Sequence, residues 1–403
     1  PESLTRLKLL LGSEITWMPM WLLFAWGLLA DGALIAHQGN QGHAQCSYSA
    51  IYPEQYVAYK TTQLSPESLT GNLSREVWQE VAWTKDFVDI STHTTPALQT
   101  RAKIRWDDSF LYVAAELEEP KPWATLREHD SVIFHDNDFE VFVDANATTH
   151  YYKEFEMNAF NTTWMLVLNK PYNDGGYENS TRVFPNGWTM QPPLRSVASV
   201  VPPDALNNPS KQGNHWTVEI AMPLASLVQE TGAALPQPST FWRINFSRVQ
   251  WHLKVNPATG KYEKNASCQS CPSPGSPNED NWVWSPQYEI AMHLPERWGI
   301  LQFEDSMETG ASYYQEWPSR SAAMAIYYAQ HAYASDHGGN YTAVLAELLP
   351  YSSDPFPICS EAETFITASG GEHSFFEARV TSPAAPQYTA TVRNDRFLVV
   401  AAS

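Results

Sequence analysis

Basic residues, cysteines and long apolar runs are all scarce in this sequence. Only 25 Lys and Arg side chains stand against 44 Asp and Glu, so the formal net charge is −19. Nucleic acids and anionic membranes repel such a charge, and we expect neither as a partner. Signature motifs of serine hydrolases, zinc proteases, phosphate loops and dinucleotide sites are also missing from the sequence. A neutral polyol, a cation or a basic protein suits this composition better.

One apolar stretch, residues 17–36, stands near the N-terminus, after Arg6 and Lys8. Asp31 interrupts it, and its uninterrupted part is short for a membrane-spanning helix. Small residues follow at positions 36 and 44, which is typical of signal-peptide cleavage. We therefore assign residues 1–44 to a signal peptide with its leader, and an uncleaved signal anchor is the alternative. The expected location is extracellular or lumenal.

The sequence has only four cysteines, and two of them are close together in "CQSCPSPGSP". This pair, Cys268 and Cys271, fits a redox pair, half a zinc site or a small disulfide loop. No second CxxC and no βαβ pattern accompanies it, so we predict a structural disulfide there. The pairing of Cys46 and Cys359 stays open.

Seven Asn-X-Ser/Thr sequons agree with a secretory route. Two of them, Asn161 and Asn245, lie in strand-like sequence, where we expect buried and unmodified side chains. The remaining five are the candidate glycosylation sites: Asn72, Asn146, Asn179, Asn265 and Asn340.

Short alternating runs separated by turns rich in Pro, Gly, Asn and Asp fill the middle of the chain, for example "AKIRWDDSFLYVAAEL" and "HWTVEIAMP". Many short strands without interleaved helices predict an antiparallel β-sandwich, which we assign to residues 45–308. An Ala-rich helical stretch ending in Gly-Gly, a second short helix capped by Asn340 or Thr342, and further strands follow. These predict a small α+β domain over residues 309–403.

The run "NDFEVFVDANATTHYYKEFEMNAFNTTW" contains two strands whose polar sides are mainly carboxylate and amide. With a period of two, Phe139, Val141 and Met157 point towards the core. The opposite side, which we call the acidic face, consists of Asp138, Glu140, Glu154, Glu156 and Asn158. Unneutralised carboxylates side by side repel each other, so the acidic face needs a cation, basic side chains or hydroxyl donors.

Three interpretations of the acidic face remain open. It is a solvated surface with basic partners, a divalent-cation site, or a sugar site in which carboxylates and amides bind hydroxyls. Oxygen-only ligands favour calcium as the cation, with Asp136, Asp138 and Asp144 as candidates. For a sugar site, the nearest aromatic rings in the sequence are Trp123, Phe134 and Trp164.

Motifs over residues 56–305, among them "NDFEVFVD", "YYKEFEMNAFNTTW" and "MHLPERWGILQF", resemble the family 9 carbohydrate-binding modules, especially larger secreted family 9-like proteins. The resemblance implies a β-sandwich that binds sugar ends between two aromatic rings, with structural calcium. It places Glu140, Phe134 and Asn158 at sugar-binding positions. Glu154 and Glu156 stand where the family has Gln and Arg.

The second ring of the family falls near Met292 in this sequence, so that ring is missing, and His293 is a candidate to replace it. We therefore predict a non-catalytic carbohydrate-binding glycoprotein. The alternatives are an adhesion scaffold that contacts a protein partner through residues 309–403, and a glycoside hydrolase that uses Glu140 and Glu156.

Overall fold

The computed structural model describes residues 46–265, 278–371 and 373–403. The predicted signal segment and the predicted Cys268–Cys271 disulfide lie outside the described residues. Within them, no helix is both long and apolar enough to cross a membrane.

Alternating sequences form short strands that are distributed along the described chain, as predicted. The strands are β1 (Gln55–Lys60), β2 (Val88–Asp89), β3 (Thr100–Trp106), β4 (Phe110–Glu118), β5 (Asp138–Asp144), β6 (Tyr152–Asn158), β7 (Thr163–Leu168), β8 (Glu178–Asn179), β9 (Arg195–Val201), β10 (His215–Pro223), β11 (Phe241–Trp251), β12 (Leu253–Val255), β13 (Tyr262–Lys264), β14 (Glu279–Val283), β15 (Gly299–Glu304), β16 (Glu363–Ser369), β17 (Phe375–Thr381), β18 (Tyr388–Arg393) and β19 (Leu398–Ala402). The α-helices are α1 (Glu76–Gln79), α2 (Leu224–Leu227), α3 (Trp317–Asp336) and α4 (Leu345–Leu348).

The largest sheet runs in the order β8-β7-β6-β5-β11-β15-β1-β3-β4-β10-β9, and β14 pairs with both β11 and β2. Most pairs are antiparallel, but β1 lies parallel to both of its neighbours, β15 and β3. One hydrophobic core takes Ile104 and Ile220 from one half of the sheet and Val141 and Phe246 from the other. The sheet is therefore curled with its halves packed on each other, which confirms the predicted β-sandwich.

Tryptophan side chains close this core, as the sequence indicates. The buried ones predicted to pack are Trp106, Trp216, Trp242, Trp284 and Trp298. Gly299 lies close to one of them, because a Cβ at this position would come within 2.3 Å of the Trp284 ring. Only glycine leaves room for the Trp284 ring at this position, because a larger residue would collide with the ring.

The C-terminal part packs α3 against a second sheet, ordered β16-β17-β18-β19. The helix ends before Gly338 and Gly339, whose φ values of 62° and 83° require glycine, as the Gly-Gly stop predicts. The second hydrophobic core includes Ile300 of β15 and Tyr48 as well as residues of α3, and both sheets belong to one compact unit.

The predicted cap of the second helix is wrong. Helix α4 begins at Leu345, after Val344, and no side chain caps it. Asn340 instead accepts a hydrogen bond from the Gly371 backbone N–H at 2.9 Å and donates to the His337 carbonyl. Asn340 is therefore engaged with the turn before β17 and with the end of α3, and it does not cap α4.

A disulfide joins Cys46 to Cys359, across 313 positions of the sequence. Both cysteines are buried in the second core. This pairing could not be deduced from the sequence, because spacing alone does not determine connectivity.

Candidate functional site

The acidic face forms because β5 and β6 pair antiparallel, as predicted. Glu140 lies directly opposite Glu156, and Asp138 lies opposite Asn158. The short loop between the two strands is held by Asp144, whose carboxylate accepts hydrogen bonds from the backbone N–H groups of Thr148 and Thr149. Because every second residue points to one side, three glutamates come together at the floor of a cleft.

The cleft has a volume of about 430 Å³ and gathers seven of the nine predicted sugar-binding residues. These are Phe134, Glu140, Glu154, Glu156, Trp164, Met292 and His293. Its size is within the range of small-molecule sites. The predicted residues that do not line it are Trp123 and Asn158.

Asn158 is committed to hydrogen bonds within the protein. Its amide nitrogen donates to the Leu126 carbonyl and to Asp136, each at 2.9 Å, and its oxygen accepts from the backbone of Phe160 and Thr162. The side chain therefore positions the loop beside β6, and it has no group left for a ligand.

Trp123 is buried away from the cleft. The nearest cation is the Lys264 ammonium group, 5.9 Å from the ring centroid, and that group lies closer still to the Trp251 ring, at 3.2 Å. The Trp251 indole N–H in turn donates to the Phe134 carbonyl at 2.8 Å. Trp251 thus holds the backbone of Phe134 at the cleft. The sequence did not indicate this role.

Aromatic rings line the cleft on several sides. Phe134 is 37% exposed, and its backbone N–H donates to the Glu156 carboxylate at 3.0 Å. The Trp164 indole N–H has no hydrogen-bond partner among the described residues. Tyr172, which is 43% exposed, also lines the cleft. Exposed rings provide stacking surfaces, and the indole N–H is a free donor.

Tyr172 supplies a ring where the sequence indicated that one was missing. It makes an edge-on contact with His293, with ring centroids 4.7 Å apart. The strand pattern of the sequence does not indicate Tyr172, because the turn "KPYNDGG" lies outside that pattern. Glu279 and Asn281 of β14 were also missed, although both lie on one side of an alternating strand and line the cleft.

Burial determines the electrostatics of the acidic face. It raises the pKa of Glu140 to about 7 and, with the help of the Glu140 charge, the pKa of Glu154 to about 8. The pKa values of Asp138 and Glu156 are raised well above their usual range, again first by burial and then by the charge of Glu140. The four groups resist simultaneous ionisation unless something positive or hydrogen-bond-donating reaches them.

Basic side chains do not neutralise this cluster within the described part of the chain. The guanidinium group of Arg182, 5.0 Å from the Trp164 ring centroid, pairs with Glu178. Arg248 pairs with Glu119 at 3.2 Å. One oxygen of Asp138 and one of Glu154 are buried without any hydrogen-bond partner. The acidic face can thus accept hydrogen bonds from hydroxyl groups or coordinate a cation.

Only one of the three predicted metal ligands lies in a group suited to an ion. Oxygens of Asp138, Glu140 and Glu156 lie within 4.8 Å of one another. Asp136 instead accepts hydrogen bonds from its own loop, including the Thr125 and Leu126 backbone N–H groups at 2.7 and 2.8 Å. Asp144 holds the loop between β5 and β6, as described above.

The asparagines of the predicted sequons differ in their exposure to solvent. Asn245 is buried, and its amide donates to the Ser285 carbonyl, as expected. Asn161 is exposed in the turn between β6 and β7, so its predicted burial is wrong. Among the candidate sites Asn72, Asn146 and Asn340 are exposed, while Asn179 and Asn265 are half-buried. Glycosylation itself stays a prediction.

Comparison with known proteins gives one family match. Residues 69–237 match the family described as carbohydrate family 9 binding domain-like. No curated protein matches this chain.

Solved structures show weaker similarity. A candidate carbohydrate-binding protein from Bacteroides uniformis is 14% identical, with a TM-score of 0.43 over 62% of this chain and 100% of its own. A family 9 carbohydrate-binding module from Caldicellulosiruptor kristjanssonii in complex with cellotriose is 13% identical, with a TM-score of 0.35 over 64% of this chain and 99% of its own.

The matched segment includes β5, β6 and β7, and with them Phe134, Glu140, Glu154, Glu156 and Trp164 of the cleft. The resemblance that the sequence motifs suggested is thus confirmed over residues 69–237, which match the family described as carbohydrate family 9 binding domain-like.

Proposed function

We propose that this protein binds carbohydrate in the cleft above the acidic face and catalyses no reaction on it. The observation that carries this proposal is the gathering of Glu140, Glu154 and Glu156 with the rings of Phe134 and Tyr172 in one cleft. The family match adds support, because its description is that of a carbohydrate-binding domain. A neutral mono- or oligosaccharide is the ligand class that fits.

The chemistry of the cleft suits sugar hydroxyls. An ionised carboxylate accepts hydrogen bonds and a protonated carboxyl group also donates one, and each sugar hydroxyl can do both. The unpaired Trp164 indole N–H can donate to a ring or hydroxyl oxygen of the same sugar. Phe134 and Tyr172 expose apolar ring surface on which the C–H face of a pyranose can pack.

An adhesion scaffold without a ligand fits the cleft less well. In that case the acidic face should be neutralised by basic side chains or covered by the C-terminal part. Within the described residues the four carboxyl groups have no such ion pair, and the cleft is lined by residues of the sandwich. We further propose a secreted glycoprotein, which agrees with the disulfide between Cys46 and Cys359.

Glycoside hydrolysis is the second candidate function. Glu140 and Glu156 are close, buried carboxyl groups with raised pKa values, which is the property expected of a general acid. A screen for release of reducing sugar from bound oligosaccharides separates the two functions, since a binding protein releases none.

The test of the proposed function is a glycan-array screen of wild type, Glu154→Gln and Trp164→Phe, with Glu308→Gln as the exposed control. We expect both cleft variants to weaken binding at least tenfold, since Glu154→Gln replaces an acceptor oxygen with an amide donor and Trp164→Phe removes the indole donor, and the control to bind as wild type does. Glu154→Gln also removes the repulsion between Glu154 and the Glu140 charge, so its fold should be at least as stable. A folded wild type that binds no glycan would refute the proposal.

A further inference from the structure

We propose that Asp138, Glu140 and Glu156 form a calcium site at the floor of the cleft. The three side chains project from the paired strands β5 and β6. Glu140 and Glu156 line the cleft, and Asp138 is completely buried beside them. The site itself does not depend on sugar binding, whereas its effect on a bound sugar rests on the proposed function.

The spacing of the ligand atoms fits calcium. One oxygen from each of the three side chains lies within 4.8 Å of the other two. Two oxygens on opposite sides of one calcium ion are about 4.6–5.2 Å apart, because each Ca–O bond is about 2.3–2.6 Å. Carboxylate oxygens are the ligands that calcium prefers, and no His or Cys takes part in this group.

Unsatisfied buried oxygens point independently to a missing positive partner. Glu154, which is outside the three-residue group, lines the same cleft, and one of its carboxylate oxygens is buried without a hydrogen-bond partner. One oxygen of Asp138 is in the same condition. Leaving such groups unsatisfied costs about 1–3 kcal/mol each, more when they are charged, and a bound cation would remove that cost.

Two of the three proposed ligands are already held in place by the backbone. The first oxygen of Asp138 accepts a hydrogen bond from the Val249 N–H at 2.8 Å, which leaves its second oxygen free. One oxygen of Glu156 accepts from the Phe134 N–H at 3.0 Å. This fixation orients both carboxylates before an ion arrives, so little ordering is needed on binding.

A calcium ion at this position would act on the sugar directly. Calcium takes six to eight oxygen ligands, and three carboxylates fill only part of that number. Because Glu140 and Glu156 line the cleft, two neighbouring sugar hydroxyls could complete the coordination there. Sugar binding would then depend on calcium, and sugars with paired hydroxyls would be preferred.

The test is isothermal titration of the full chain with CaCl2, after removal of bound metal with EDTA. Asp138→Asn and Glu156→Gln each remove one proposed ligand, and Glu308→Gln is the control, because it removes one charge at an exposed position outside the cleft. We expect each ligand variant to lose one equivalent of calcium or to bind it at least tenfold more weakly. The control should change the affinity less than threefold.

Three results would overturn the calcium site: no saturable binding by the folded wild type, unchanged binding by both ligand variants, or an equal loss in Glu308→Gln. Near-ultraviolet circular dichroism establishes that each variant is folded. Repeating the glycan screen in EDTA separates the two proposals. Calcium binding without any sugar binding would refute only the proposed function, and sugar binding by a protein that takes up no calcium would refute only the metal site.

Discussion

His293 shows how burial at the cleft changes the behaviour of a single residue. Its imidazole nitrogen Nδ1 lies 2.9 Å from the Tyr152 hydroxyl, and its ring packs edge-on against Phe142 and Tyr172. Burial lowers the pKa of His293 to about 4. The imidazole is therefore neutral at pH 7 and serves as a packing and hydrogen-bonding group of the cleft wall.

This residue should make the protein less stable in acid. The pKa of His293 is about 4 in the folded state and about 6.5 in the unfolded state, so the unfolded state binds the proton first as the pH falls. Stability is fully present above pH 6.5 and is lost between pH 6.5 and 4, by up to about 1.4 kcal/mol per pH unit. Urea unfolding at several pH values, in EDTA, measures this dependence.

The comparison that isolates His293 is between wild type and His293→Gln. It concerns the slope of the free energy of unfolding against pH. Other histidines such as His150 and His331 also have lowered pKa values, and they affect both proteins equally. An identical slope in wild type and His293→Gln would mean that His293 is not held neutral by the fold.

The sequence predicted those cleft residues that follow a strand period and missed those set by distant contacts. Glu140, Glu154 and Glu156 could be assigned to one side because alternation fixes the direction of each side chain. Asn158 satisfies the same rule, yet its partners Leu126 and Asp136 come from a separate loop. Nothing in the local pattern indicates that such a side chain is already engaged.

At the scale of elements, the turn between β18 and β19 ties the C-terminal sheet to the cleft wall. Arg396, at this turn, donates to Asp174 and to Glu296, each at 2.7 Å, and all three side chains are buried. Asp174 is two residues from Tyr172, so the ion pair holds the segment that carries a cleft ring. The sequence gave no sign of this contact, because Asp174 and Glu296 lie 222 and 100 positions away from Arg396.

Replacing this arginine should be costly. Arg396→Gln leaves two buried carboxylates without their cation, and we expect a loss of about 3–5 kcal/mol in the free energy of unfolding. Arg379→Gln is the control, since its side chain is mostly exposed, and it should change stability by less than about 0.5 kcal/mol. Urea denaturation of both variants measures the two values.

A double variant tests the reason for this loss. Adding Asp174→Asn to Arg396→Gln removes one of the abandoned charges, so part of the stability should return. If the two changes instead add independently, the contact with Asp174 contributes nothing and the loss arises elsewhere.

For the whole molecule, the second hydrophobic core joins the two ends of the described chain. The second hydrophobic core brings Tyr48 and Ile300 together with α3 and the C-terminal sheet. Composition and alternation predicted a sandwich followed by a small α+β part, and both are present. They could not predict that the two parts share a core, because such packing depends on shape complementarity between segments that are distant in the sequence.

The Cys46–Cys359 disulfide should stabilise this closed arrangement strongly. It closes a loop across 313 positions, and the entropy that a cross-link removes from the unfolded chain grows with loop length. We expect the double variant Cys46→Ser, Cys359→Ser to lose about 3–5 kcal/mol, measured by urea unfolding without reductant.

The second pair of cysteines provides a matched comparison. A bond between Cys268 and Cys271 would close a loop of only a few residues, so Cys268→Ser, Cys271→Ser should lose about 2 kcal/mol at most. Both double variants remove two thiols, and only the length of the closed loop differs between them. Because the longer bond holds the two ends of the described chain against a common core, its loss should also broaden the unfolding transition. An equal loss in the two double variants would contradict loop closure as the source of the stability.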